Sequence, residues 1–195
     1  MTRGDNAAFA ARTRARFPAQ VRDDLRLELV RRPQAGEFYR LLDRNRDHVG
    51  RWMAWVPSIT GPDSMLSWIR RCQRQLSGGH GFHLALVLDG DVAGTVGLVE
   101  IDRANSATEL GYWLGEEAQG RGLMTAACEV VIHHLFDDLG LHRVQIRCAT
   151  ENTRSRAIPE RLGFREEGVL RDAERLGQEF VDHVVYSLLR SDRSP

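Results

Sequence analysis

The chain has 195 residues, 42% of them hydrophobic, a length that suits one domain with a real core. Its 27 basic and 27 acidic side chains cancel, so net charge points neither to nucleic acid nor to an anionic membrane as the main partner. Cys72, Cys128 and Cys148 stand far apart, in no metal-ligand spacing and in odd number, so free thiols are expected rather than a disulfide framework or a zinc site.

Residues 1–22 carry Arg3, Arg12, Arg14, Arg16 and Arg22 among few bulky apolar residues, and read as a mobile tail or short solvated helix ahead of a single domain over 23–195. They contain no apolar signal core, and no apolar run in the chain is long enough for a bilayer, so a cytoplasmic protein is expected. Leu25–Leu29 alternates apolar and polar residues as a half-buried strand does. Gly36–Arg46 and Asp63–Leu76 read as helices, the second opened by Pro62, Asp63 and Ser64. Between them Trp52 and Trp55 suit core packing or, as a second reading, the wall of an acceptor groove. Phe82–Leu88 and Val92–Ile101 follow as strands joined at Asp89, Gly90 and Asp91, and Thr108–Leu114 is a third.

That third strand leads into Gln119-Gly120-Arg121-Gly122-Leu123-Met124-Thr125, after which apolar residues at Leu123, Ala127, Val130, Val131 and Leu135 mark one face of a helix ending near Gly140. A strand, a glycine loop and a helix start form an anion cradle. Gly120 and Gly122 allow close backbone approach, and the first helical N–H groups lack intrahelical partners and sit at the positive end of the dipole. The P-loop pattern is absent, the chain has no lysine, and no dinucleotide-binding GxGxxG with its later acidic residue appears. Val144–Ala149 is then a strand and Arg154–Leu162 a helix, in which Pro159 removes one N–H and should kink or shorten it. Phe164–Leu170 and Phe180–Leu189 close the domain as strands.

Three elements in order carry a resemblance. Gln119 to Met124 resembles Q/RxxGxG/A, the coenzyme A pyrophosphate loop of the GNAT acyltransferases, with Met124 where that pattern has Gly or Ala. Asn152-Thr153-Arg154-Ser155 with Glu160-Arg161-Leu162-Gly163-Phe164 looks like the NxxS…E(K/R)xGF element of the same superfamily. Glu109 to Leu114 resembles the strand before the loop in the branch of ribosomal-protein N-terminal acetyltransferases. The resemblance implies an α/β fold with a mixed, mostly antiparallel sheet, flanking helices, and a parallel strand pair that splays to admit the pantetheine arm.

It also implies the cofactor contacts: Leu114, Gln119, Gly120, Arg121, Gly122, Leu123, Met124 and Thr125 for the arm and pyrophosphate, with Asn152 and Ser155 near the thioester. Helix capping is the plainer role for Asn152, and core packing for Cys148. The implied chemistry is acetyl transfer from acetyl-CoA to an amine in a ternary complex, without a metal. Ser155 is the candidate proton donor, while Glu109 and Asp102 share the place of candidate base ahead of Glu100. The acceptor implied is a protein N-terminal α-amino group, and a homodimer fits the branch. Small-amine transfer, succinyl-CoA as donor, and a non-catalytic acyl-CoA-binding module are the alternatives.

Overall fold

Among the residues described by the computed structural model, 3–193, eight strands form one sheet in the order β1-β2-β3-β4-β5-β6-β8-β7. They are β1 (Ala19–Arg22), β2 (Leu25–Leu29), β3 (His83–Leu88), β4 (Asp91–Asp102), β5 (Ala107–Leu114), β6 (Arg143–Ala149), β7 (Arg165–Leu176) and β8 (Glu179–Leu189). The flanking α-helices are α1 (Arg3–Arg16), α2 (Ala35–Arg44), α3 (Arg46–Gly50), α4 (Pro62–Ser77), α5 (Leu123–His133) and α6 (Thr153–Arg161). Each neighbouring strand pair is antiparallel except β5 and β6, which the α5 crossover makes parallel. The mixed, mostly antiparallel sheet expected from the sequence is the one observed.

Helices cover both faces of the sheet, so its central strands are buried on both sides. In β3, Leu84 and Leu86 join one core with Leu123, Ala127 and Val131 of α5, while Ala85 and Val87 join another with Phe38 of α2 and Ile69 of α4. Period two in the strand thus sorts one run of apolar residues into two layers. Helix α4 starts where Pro62 fills its first turn, and Ser64 Oγ accepts from the Gly61 N–H at 3.1 Å.

The N-terminal segment departs from expectation. Residues 3–16 form α1, whose Phe9, Ala10 and Thr13 are buried, and Phe17 follows them into the core beside Phe82. Their 1, 3, 4 spacing is a narrow helical stripe, too sparse among the arginines to register as amphipathic. Thr13 Oγ1 lies 3.2 Å from Nε2 of the fully buried His134, whose Nδ1 is 2.7 Å from Asp138. Residues 19–22 then become the edge strand β1, so residues 3–22 of the expected tail are part of the folded unit, residues 1–2 lying outside the described ones.

Truncating Phe9→Ala should therefore cost about 3 kcal/mol, as a core cavity does, where a solvated tail would lose less than about 0.5; urea unfolding measures it. On β3, burial first and the Arg71 charge second pull the His83 imidazole from 6.5 down to about 4. Between those values the unfolded chain binds a proton that the fold refuses, so stability falls as pH drops from 6.5 towards 4. His83→Gln should remove on the order of 2 kcal/mol of that fall, read from denaturant midpoints across the window.

Candidate functional site

Strands β5 and β6 pair only through Ala107 with Arg143, Thr108 with Val144 and Glu109 with Gln145. Beyond Glu109 the two part, and β5 runs on to Leu114 with no strand partner on its β6 side. A cleft of about 1030 Å³ opens there, walled by β5, the start of α5, α6 and the α3 region. Leu114, Gln119, Gly120, Gly122, Asn152 and Ser155 all line it, so it gathers residues far apart in the chain.

The glycine loop is built as an anion cradle. Gly120 and Gly122 have φ of +74° and +71°, and a side chain at Gly120 would meet nothing within 4 Å, so the backbone there stands open to the cleft. The bond from Ala126 N to Gly122 O, 3.1 Å, is the first of α5, which leaves the N–H groups of Leu123, Met124 and Thr125 without intrahelical partners at the positive helix end. That combination fits a pyrophosphate. Met124, the departure from the family pattern, turns its side chain into the core, where it is 5% exposed, and leaves the cradle unblocked.

Arg22, at the end of β1, holds the loop from below. Its guanidinium donates to Arg121 O at 2.9 Å and Gly122 O at 3.3 Å, a role hidden while residues 1–22 are read as a tail. The Arg121 side chain is engaged with Asp24 at 2.8 Å. Gln119 bridges the two cleft walls, 2.6 Å from His48 Nε2 and accepting from Arg154 at 2.8 Å.

On the opposite wall Asn152 caps α6, its Oδ1 accepting from Ser155 N at 3.2 Å. The cap fixes the first turn and with it the Ser155 hydroxyl, which donates to Tyr112 OH at 3.3 Å and lies 3.2 Å from Cys148 Sγ. Pro159 explains how Tyr112 is held. A residue with an N–H at 159 would bond back to Ser155 O; proline cannot, and Tyr112 OH donates to that freed carbonyl at 3.0 Å. Tyr112 was legible from the sequence only as an apolar strand residue. Burial first, then Cys148, raises its hydroxyl pKa well above 10, and burial likewise raises the Cys148 thiol, so both stay protonated at neutral pH.

The candidate bases are not gathered in the cleft. Asp102 ends β4 and accepts from Asn105 N at 3.1 Å and Nδ2 at 2.6 Å, bonds that pull its pKa below the usual value, foremost the one from the Asn105 side chain. It closes the turn between β4 and β5, paired across from Ala107 and so two residues along β5 from Glu109. Glu100 lies in a bulge of β4 with its carbonyl accepting from Thr108 Oγ1 at 2.7 Å and its side chain in solvent. Glu109 is the last paired residue before the strands part, ion-paired with Arg147 at 2.8 Å. Trp52 lines the cleft, and Trp55 packs on Trp113 with ring centroids 6.2 Å apart.

Among the described residues no cluster of three or more His, Cys, Asp and Glu is placed to hold a metal, and no helix is long and apolar enough to cross a membrane. A sheet opened at its parallel pair, with a glycine-loop cradle at the mouth, defines a coenzyme A-dependent acyltransferase. Residues 24–165 match the acetyltransferase (GNAT) domain, and the chain belongs to that family. It is 33% identical over 177 residues, 90% of this chain and 97% of the other, to a Bacillus subtilis (strain 168) protein provisionally named ribosomal N-acetyltransferase YdaF. It is 25% identical over 168 residues to the Escherichia coli (strain K12) ribosomal-protein-serine acetyltransferase, covering 86% of this chain and 94% of that one. Its fold matches the crystal structure of the microcin C7 self-immunity acetyltransferase MccE in complex with acetyl-CoA and AMP, with TM-score 0.83, 31% identity, and 87% and 94% of the two chains covered.

Replacing Gly122 by valine would force a branched side chain to φ +71°, at a cost of about 1–2 kcal/mol, with Cβ 3.2 Å from Arg22 Nη2. Calorimetric titration of Gly122→Val with acetyl-CoA should show affinity at least about tenfold weaker while the fold melts as one transition. Unchanged affinity would remove the loop from the coenzyme site.

Proposed function

We propose that this enzyme transfers the acetyl group of acetyl-CoA to the α-amino group of a protein N-terminus, of the kind that ribosomal proteins present. The observation that carries the reading is the cleft at the parted β5 and β6, with the cradle at one end and the Ser155 hydroxyl on its wall. The named activity of the relatives that span nearly the whole chain supports the acceptor.

In this reading the amides of Leu123, Met124 and Thr125 take the pyrophosphate, and the unpaired backbone of β5 up to Leu114 takes the pantetheine amides. Gln119, Gly120, Gly122 and Asn152 complete the wall, and Arg121 acts by tying the loop to Asp24. The acceptor amine attacks the thioester carbonyl carbon; the C–N bond forms, the C–S bond breaks, and the electron pair leaves on sulfur. The amine proton goes through water to Glu109, whose place on the strand face shared with Gly111 and Trp113 puts it towards the acceptor side. Ser155 protonates the departing thiolate and regains a proton through water from the one that Glu109 took up, and Tyr112, kept protonated by burial, holds the serine hydroxyl in line. Asp102 has no part in these steps.

The setting we propose is the cytoplasm, and the working form a homodimer. Sheet edge β7 exposes Val169 and Leu170 and β8 exposes Phe180, apolar side chains that a second subunit would cover. A solution mass that stays at the 22.1 kDa of one chain would overturn the dimer.

Steady-state transfer to an N-terminal peptide tests the assignment. Ser155→Ala and Glu109→Gln should each lower kcat by about 10²-fold with acetyl-CoA binding retained, and Tyr112→Phe by about tenfold, whereas Asp102→Asn should leave kcat unchanged. Retained binding with no transfer to any peptide or small amine would mark a binding module instead.

A further inference from the structure

On the face of the sheet opposite α5, the cover given by α2 and α4 ends at Trp113. Past it the sheet is open: Val99 of the central strand β4 is 57% exposed, and on the same face of β5 Glu109 is half-buried and Gly111 exposed. Each other glycine inside a strand has a local reason to be one. A Cβ at Gly94 would run into Trp113 O, a Cβ at Gly97 would run into the His83 ring, and Gly168 has a φ of +144°. Gly111 has no such reason: its φ lies outside the left-handed region, and a Cβ there would meet nothing within 4 Å. A glycine in a strand interior gives up stability relative to alanine, and where packing does not demand it, it marks a place where another molecule comes close to the backbone.

The strand register locates that place. The parallel ladder pairs Glu109 with Gln145, so one pleat further on Gly111 would stand opposite Arg147. These two are the first on this face to look across the opened gap. Arg147 Nε bonds back to Glu109 at 2.8 Å, and Gly111 contributes no side chain, so the acceptor-side mouth of the gap is bare on its β5 lip. An α-amine needs that room. Unlike the amine of a straight alkyl chain, it sits on a carbon that carries both a side chain and a carbonyl, so a wider group must enter before the nitrogen reaches the thioester carbon.

We propose, resting on the N-terminal acceptor proposed above, that Gly111 sets which amines enter: the α-carbon of the incoming terminus passes over its bare backbone. A side chain at this position narrows the mouth, first against termini whose leading residue has a Cβ.

Steady-state transfer from acetyl-CoA to two peptides alike except for a leading glycine or alanine, measured with the unaltered chain, Gly111→Ala and Gly111→Val, tests this. Gly111→Ala should raise KM about tenfold for the alanine-led peptide and less than about threefold for the glycine-led one, and Gly111→Val should widen the difference. Acetyl-CoA affinity, read by calorimetry, should hold within about twofold, because alternation points the added Cβ away from the strand face of Tyr112 and Leu114, which line the coenzyme cleft. The melting temperature of Gly111→Ala should not fall, since its methyl group meets open space. Equal rises for the two peptides, KM unchanged in both variants, a matching loss of acetyl-CoA affinity, or a lowered melting temperature of Gly111→Ala would overturn the proposal. Any of these, with the unaltered chain acetylating either peptide, sinks this inference alone; transfer to neither peptide sinks the acceptor assignment and this inference with it.

Discussion

The separation of β5 from β6 after Glu109 is the constraint on which the rest depends. A parallel pair that kept its ladder would close the sheet and leave no backbone free. Parting instead leaves strand peptide groups unpaired on one side, a cost that an extended amide-bearing ligand offsets by completing the bonds. Two helices start beyond the parting: α5 follows β5, and α6, capped by Asn152, follows β6. Binding energy and catalytic placement therefore come from the same opening, with the glycine cradle at its mouth and Ser155 on its wall.

Pro159 shows how a local defect becomes a positioning device. Inside α6 it removes one backbone donor, a loss that in a solvent-exposed helix would only weaken the element. Here the stranded carbonyl belongs to Ser155 and is taken by the Tyr112 hydroxyl at 3.0 Å, so the missing bond of a helix becomes a bond between helix and strand. The serine is then held at both ends, its N–H by Asn152 and its hydroxyl by Tyr112. A hydroxyl held this way spends little entropy in keeping one geometry.

The N-terminal segment and the glycine loop are one mechanical unit. Phe9 and Phe17 bury α1 against Phe82, β1 follows directly, and Arg22 at its end donates to the carbonyls of Arg121 and Gly122. With those carbonyls drawn to Arg22, the loop is set to present its N–H groups to the cleft.

Local chemistry made much of this protein legible from its residues alone. The glycine loop before an amphipathic helix, the strand alternation and the Asn152–Ser155 cap depend on neighbours within a few positions, so they could be read without the fold. The sequence could not separate Glu109 from Asp102, because each is simply a carboxylate on or beside one strand; the strand pairing and the β4–β5 turn give them different partners, Arg147 for Glu109 and Asn105 for Asp102. It hid α1, whose buried stripe is three residues wide among arginines, and Tyr112, whose partner is a carbonyl freed 43 positions away.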